Sequence, residues 1–349
     1  MRILLLPISL LYHIVLCIRH KLYDWSILKS RQFEYPIICI GNLNLGGTGK
    51  TPHTEYLIQL LKDTYRVATL SRGYGRKTKG FHRAEPHSIY ETVGDEPLQY
   101  FKKFPGIQVA VDEDRVEGVE KLITGQDTPE VILLDDAFQH RRIMAGQNIL
   151  LTEYQHLYCD DFLFPTGTLR DIRSAAKRAD IIVVSKSPKE MDDAAKQQII
   201  NKLKPTENQK FFFSYLEYLP LQSLNEAAEQ ASAENAYSVL AFCGIANPKP
   251  FVEELKTRYK TIDFLPFGDH HAYTENDVKT ILTHFRNLGG EKKIIVTTEK
   301  DAARLTNSPY LCEFECAPLY DLPISVRFHE EERFNEEILT YVRQNPHHC

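Results

Sequence analysis

The chain has 349 residues, enough for about two domains of roughly 150 residues each. At 43% hydrophobic and 26% charged, it is neither disordered nor collagen-like nor a polytopic membrane protein. Its 42 basic and 47 acidic residues give a net charge of −5, which carries no footprint of a nucleic-acid binder. Seven scattered cysteines fit a reducing compartment better than a disulfide framework.

The N-terminus departs from the average. Residues Ile3 to Ile18 hold only Ser9 and His13 as polar members, with Arg2 before the run and Arg19, His20 and Lys21 after it. Sixteen helical residues span ~24 Å, short of the ~30 Å hydrocarbon core. A secretory signal is disfavoured, because no small-residue cleavage site follows. The run reads as a membrane-dipping helix with a basic flank toward anionic headgroups. A buried core helix is the alternative.

The body alternates strand-like and helical stretches. Tyr35–Ile40, Val67–Leu70, Ile107–Val111, Val131–Leu134, Asn148–Leu151 and Ile181–Val184 are short apolar runs. Such runs, separated by helical patterns, predict a parallel sheet buried on both faces. Residues 221–236 form a polar linker or exposed helix. Strands at Tyr237–Phe242, Thr261–Leu265 and Lys293–Thr297 then alternate with helices at Pro248–Tyr259 and Thr274–Leu288, and a helix near Glu331–Arg343 closes the chain. The expected organisation is an apolar helix over 1–24, a core domain over 25–220 and a smaller α/β domain over 221–349.

The loop after the first strand carries the strongest chemical signal. Gly46, Gly47, Thr48, Gly49, Lys50 and Thr51 supply the second half of the phosphate-loop pattern G-x-x-x-x-G-K-[ST]. Asn44 stands at the first glycine position, where asparagine's tolerance of left-handed backbone predicts a workable substitute. The loop amides can wrap a phosphate chain at a helix N-terminus, Lys50 can reach the β- and γ-phosphates, and the Thr51 hydroxyl can ligate Mg²⁺. Asp135 and Asp136 end a buried apolar run, as expected of carboxylates that hold the magnesium shell. A kinase also needs an acceptor activator. Val93–Pro97, containing Asp95 and Glu96, reads as an acidic loop. Phe267–His271, containing Asp269 and His270, reads as a strand end.

At this point the residues resemble the lipid A 4′-kinases (tetraacyldisaccharide 4′-kinases) of Gram-negative bacteria. The resemblance covers essentially the whole chain. It rests on GNLNLGGTGKTP (41–52), LSRGYGRK (70–77), VGDEP (93–97), LLDDAFQHR (133–141), FPTGTLR (164–170), FCGIANPKPF (242–251), FGDHH (267–271) and VTTEKDAARL (296–305). It implies an α/β fold: a P-loop NTPase-like parallel-sheet core, a second, smaller α/β domain and an N-terminal membrane-associated helix. It implies transfer of the γ-phosphate of ATP, with Mg²⁺, to the 4′-hydroxyl of a tetraacylated glucosamine disaccharide 1-phosphate. The expected setting is a monomer at the cytoplasmic face of the bacterial inner membrane, with a lipid substrate and no nucleic acid.

Carried over by motif, Lys50 and Thr51 are phosphate and metal residues and Asp135 and Asp136 the Walker B acids. Asp95 is the base for the acceptor hydroxyl, assisted by His270, which Asp269 orients. Arg170 contacts the transition state or an acceptor phosphate. Two positions depart from the pattern: Ala137 stands where Gly is common, and Asp171, with its shorter reach, where Glu is common. The rival readings are a kinase of a small soluble metabolite and a nucleotide-dependent switch or chaperone.

Overall fold

The computed structural model describes residues 2–230, 238–269, 271–290, 292–305 and 310–345. The chain forms two compact units, the first made of residues 1–216 and 326–349, the second of 217–325.

In the first unit, helix α1 (Leu6–Asp24) precedes strand β1 (Ile37–Asn42), helix α2 (Lys50–Leu61) and strand β2 (Val67–Ser71). Helix α3 (Asp95–Lys103), β3 (Gln108–Val111), α4 (Arg115–Ile123), β4 (Val131–Asp135), β5 (Gln147–Glu153), β6 (Ile181–Ser185), α5 (Asp193–Leu203) and β7 (Lys210–Tyr218) follow. The second unit contributes β8 (Ser238–Cys243), α6 (Lys249–Arg258), β9 (Thr261–Pro266), α7 (Glu275–Asn287), β10 (Lys293–Thr298), α8 (Glu299–Leu305) and β11 (Leu319–Leu322). The chain then returns to the first unit with β12 (Ile324–Phe328) and α9 (Glu331–Gln344).

A nine-stranded sheet in the order β12-β7-β6-β5-β1-β4-β2-β3, edged by the short strand His82–Arg83, forms the first unit's centre. The strands from β7 to β3 pair in parallel. Their bare apolar runs follow from burial on both faces. Ile37, Cys39, Ile132, Leu134, Ile182 and Val184 pack in one core cluster. Ile38, Ile40, Val131, Leu133, Ile181 and Val183 pack in another. The period of two along each strand therefore divides one sequence between two cores. From β1 the chain moves outward to β2 and β3, returns to β4 beside β1, and continues the other way to β5, β6 and β7. Such a reversal opens a crevice at the carboxyl ends of the strands.

The second unit is built on a five-stranded sheet in the order Gln222–Ser223, β11, β10, β8, β9. Its pairs are parallel except at Gln222–Ser223. Phe242 and Ile295 face one apolar cluster, while Val239 and Ile294 face the other.

Two segments differ from the sequence expectation. Residues 331–344, expected with the second domain, complete the first unit instead. Phe334 of α9 stacks on Phe328 at 3.9 Å between ring centroids and meets Phe212 of β7 edge-on at 5.2 Å. Asp95, Glu96 and Pro97, expected in a loop, form the first turn of α3. Proline is tolerated there because first-turn amides have no intrahelical acceptor, and acids suit the positive end of the helix dipole.

Candidate active site

The register pairs Ile40 of β1 with Asp135 of β4. The glycine loop leaving β1 and the acid pair leaving β4 therefore lie at one sheet edge, where the strand order reverses. Gly46, Gly47 and Gly49 all have positive φ (75°, 75° and 81°). Their lack of Cβ makes that turn inexpensive and leaves the loop open, with residues 45–47 exposed. Lys50 and Thr51 begin α2 directly behind it.

Asn44 does not use the left-handed freedom expected of it. Left-handed backbone among the described non-glycine residues occurs at Ser26, Asp136, Lys186 and Lys204. Asn44 acts through its amide, which donates to Asp161 Oδ2 at 3.1 Å and Thr168 Oγ1 at 3.2 Å. It ties the loop to the segment that carries Arg170.

Charge converges on Asp136. Arg170 Nη1 donates to Asp136 Oδ2 at 3.0 Å, and Arg170 Nη2 bonds Asp136 Oδ1. Lys50 Nζ lies 3.8 Å from Asp136 Oδ2. Burial works to raise this carboxyl, but the Arg170 hydrogen bond and the Lys50 and Arg170 charges outweigh it and hold the group below the usual carboxylate range. Asp136 keeps a left-handed backbone with φ 50°, a conformation that costs of order 1–3 kcal/mol and persists only where surroundings over-determine it.

Asp135 has the opposite environment. It is buried, accepting from Tyr100 Oη at 2.9 Å and Thr54 Oγ1 at 3.4 Å. Burial first, then the charges of Glu96 and Asp136, push its carboxyl up to about 7. Thr51 Oγ1 donates to Glu96 Oε1 at 2.5 Å, which joins the start of α2 to the start of α3, the turn that also carries Asp95. Gly94 enables that approach: a Cβ there would lie 2.9 Å from the Tyr74 carbonyl oxygen, and its φ is +93°. Arg76, from the same stretch as Tyr74, is a buried partner of Glu113 at 2.9 Å.

The structure thus brings Gly46, Gly47, Thr48, Gly49, Lys50, Thr51, Asp135, Asp136 and Arg170 to one edge. Asp269 follows β9 in the second unit, and His270 lies outside the described residues. The sequence reading missed Asn42, which ends β1 fully buried. Its Nδ2 donates to Thr48 Oγ1 at 2.8 Å, its Oδ1 accepts from Arg170 Nη2 at 2.6 Å, and its carbonyl accepts from Gln139 Nε2 at 2.7 Å. A polar residue closing an apolar strand was the available signal, since a buried amide needs partners. His53 was missed too. Its Nδ1–H donates to the Gly49 carbonyl at 2.7 Å and its Nε2 accepts from Ser214 Oγ at 2.8 Å. Burial lowers its pKa to about 4, so it braces the loop as a neutral ring.

The oxygen donors Thr51, Asp135, Asp136 and Glu96 fit a hard divalent cation. Among the described residues no group of three or more His, Cys, Asp or Glu forms a metal cage. A Mg²⁺ site needs none, because one or two carboxylates with substrate phosphates and water suffice.

Comparison with known proteins identifies the family. The family model described as tetraacyldisaccharide-1-P 4′-kinase (LpxK) matches residues 1–343. The tetraacyldisaccharide 4′-kinase of Flavobacterium johnsoniae is 45% identical over 347 residues, covering 99% of this chain and 98% of the relative. That of Bacteroides thetaiotaomicron is 44% identical over 355 residues, covering 98% and 93%. The fold is similar to a crystal structure of LpxK from Aquifex aeolicus described as an apo form in complex with ATP, with a TM-score of 0.74, 30% identity, and coverage of 98% of this chain and 99% of that one. The chain belongs to the tetraacyldisaccharide-1-P 4′-kinase family.

Proposed function

We propose that this chain transfers the γ-phosphate of ATP to the 4′-hydroxyl of a tetraacylated glucosamine disaccharide 1-phosphate, yielding the 4′-phosphorylated lipid IV-A intermediate of lipid A synthesis. The observation that carries this reading is the convergence of Lys50 and Arg170 on Asp136 beside an open glycine loop. Phosphoryl transfer asks a protein mainly for positioning and charge neutralisation.

In this reading the loop amides of Gly46 to Thr51 hold the triphosphate, and Lys50 reaches its outer phosphates. Thr51, Asp135 and Asp136 would hold Mg²⁺, which when bound would supply neutralisation of phosphate charge. Arg170 releases part of its hold on Asp136 to meet charge on the transferring group or the acceptor phosphate. Asp95 orients the acceptor hydroxyl and takes its proton late, since a loose transition state needs no early deprotonation by a weak base. Asp269 and His270 enter this reading from their motif alone. The test is phosphate transfer from γ-labelled ATP to a tetraacyl disaccharide monophosphate. Absence of labelled lipid overturns the reading.

Helix α1 supports the lipid substrate. Its outward residues include Leu6, Ile8, Leu10, Leu11, Ile14, Val15 and Ile18, whereas its buried residues are Ser9, Leu16 and His20. This inverts the usual arrangement, in which a helix turns its apolar stripe inward. An exposed apolar face of this extent marks an interaction surface. No helix among the described residues is long and apolar enough to cross a membrane. We read α1 as lying in the lipid interface at the cytoplasmic face of the inner membrane. Leu11→Glu with Val15→Glu replaces side chains that are 64% and 54% exposed, so the fold should keep its melting temperature. At ~1.5–3 kcal/mol per buried aliphatic side chain, vesicle binding should weaken by about 100-fold or more in a sedimentation assay. Unchanged binding removes α1 from this role.

A further inference from the structure

Ser9, Tyr12, Leu16 and His20 are spaced i, i+3, i+7 and i+11, which places them on one face of α1. The polar members of this stripe all reach the chain segment that carries Arg170. Ser9 Oγ donates to the Leu163 carbonyl at 3.0 Å and accepts from the Thr166 amide at 3.1 Å. Tyr12 Oη donates to the carbonyl of Arg170 itself at 2.9 Å. His20 Nε2 meets Asp171 Oδ1 at 2.5 Å. The Arg170 amide donates to the Leu43 carbonyl at 2.8 Å. Arg170 is thus pinned at its amide by the loop after β1, at its carbonyl by α1, and at its guanidinium by Asp136 and Asn42.

The His20–Asp171 pair is directional. Arg141 Nη1 donates to His20 Nδ1 at 3.1 Å and to the His20 carbonyl at 3.0 Å. With Nδ1 accepting, the proton sits on Nε2, which donates to the carboxylate. Asp171 is fully buried and also accepts from the Ile172 amide at 2.8 Å and Arg178 Nη2 at 3.3 Å. The shorter reach of Asp171 is met by the histidine coming to it. His20 supplies one of the three donors that fix Asp171; without it this buried carboxylate is under-satisfied and free to re-aim toward its remaining donors, loosening its neighbour Arg170.

We infer that His20 is a positioning residue for phosphoryl transfer. Acting through Asp171, it fixes where the Arg170 guanidinium stands. The helix with the outward apolar face is thereby part of the working site. This inference rests on the role proposed above for Arg170.

The test is a double-mutant cycle in the full-length protein, with ATP and a tetraacyl disaccharide monophosphate in mixed micelles. His20→Phe keeps an aromatic ring at the position, somewhat larger, but removes both ring nitrogens, and kcat should fall about 10- to 100-fold, as misplacements near 1 Å do. The KM for ATP should stay within about threefold, because Arg170 acts on the transition state. His20→Gln restores a donor at the same bond count from Cβ and should recover kcat to within about threefold of wild type. In an Arg170→Ala background, His20→Phe should cost less than about threefold. An equal cost in both backgrounds, a wild-type kcat for His20→Phe, or no recovery by His20→Gln overturns the inference. A wild-type rate for Arg170→Ala alone overturns the Arg170 assignment instead, and the inference with it. Should His20→Phe fail to fold, Tyr12→Phe removes only the hydroxyl on the Arg170 carbonyl. It enters the same cycle with an expected loss of about 3- to 10-fold, judged by the same criteria.

Discussion

Asp95→Ala should lower kcat by about 10²- to 10⁴-fold while leaving the KM for ATP within about threefold. Asp95 opens α3, next to the glutamate that accepts from Thr51, but the triphosphate would be held by the loop amides and Lys50. In the proposed reading, losing Asp95 would therefore remove the group that orients and deprotonates the acceptor, without removing a nucleotide contact. Alanine is a strong helix former, and losing one acid from the first turn costs only about 0.3–1 kcal/mol, so the helix persists. Asp95→Asn separates the two parts of the role. It can still accept the acceptor's hydrogen bond but cannot take the proton, and should fall between wild type and Asp95→Ala. Steady-state kinetics with both substrates varied decide the matter. A kcat within about fivefold of wild type for Asp95→Ala would remove it from this role.

Asp135→Asn has two expected effects of opposite benefit. Activity should fall by about 10²- to 10³-fold, because the proposed reading gives this carboxylate to the cation. Stability without ligand should rise. The folded chain holds this carboxyl at about 7 against an ordinary 3.8, chiefly through burial and then through the charges of Glu96 and Asp136. A raised carboxyl pKa means the folded state binds the proton more tightly than the unfolded state. Its stabilising contribution is complete below about pH 4 and is lost as pH rises toward 7. At pH 8 the native state carries a buried charge that asparagine does not, worth on the order of 2–4 kcal/mol. Asn can still accept from Tyr100. Calorimetry with a chelator present should show the variant melting several degrees above wild type at pH 8 and level with it near pH 4. A variant that melts lower at pH 8 contradicts the electrostatic account. Such a gain would mark Asp135 as a place where stability is given up for function.

The parts legible in the sequence were those whose signals are local. Apolar runs such as Val131–Leu134 and Ile181–Val184 announced buried parallel strands, and the glycines before Lys50 announced a loop running from a strand into a helix N-terminus. Both depend on neighbours only a few residues apart. Two features were misread for local reasons too. Gly94 and Pro97 argued for a loop around Asp95, whereas a helix takes the one as its N-cap and the other in its first turn. Asn44 was explained by its backbone, whereas its amide does the joining. What stayed hidden depends on partners distant in sequence. His20 and Asp171 are 151 residues apart, and Tyr100 and Asp135 are 35 apart. Nothing in either local stretch announces the pairing. Asn42, a single polar residue closing an apolar strand, was legible in principle through the demand of a buried amide for partners. The α/β class survived the step from residues to coordinates, but the assignment of residues 326–349 did not. Phe334 is an ordinary amphipathic-helix residue until Phe212 and Phe328 are known to lie beside it.

The return of β12 and α9 to the first unit has a consequence for synthesis. A ribosome adding about 5–20 residues per second must make all of residues 217–325 before it supplies them, a wait on the order of 5–20 s. During that interval β7 has an unpaired outer edge and Phe212 lacks its two aromatic neighbours. The second unit, contiguous in the chain, has all its strands by then. The first unit begins first and finishes last. Lesions near residue 334 should therefore act on the glycine loop's own scaffold, and the nascent chain's demand for chaperones should peak just before the final helix emerges.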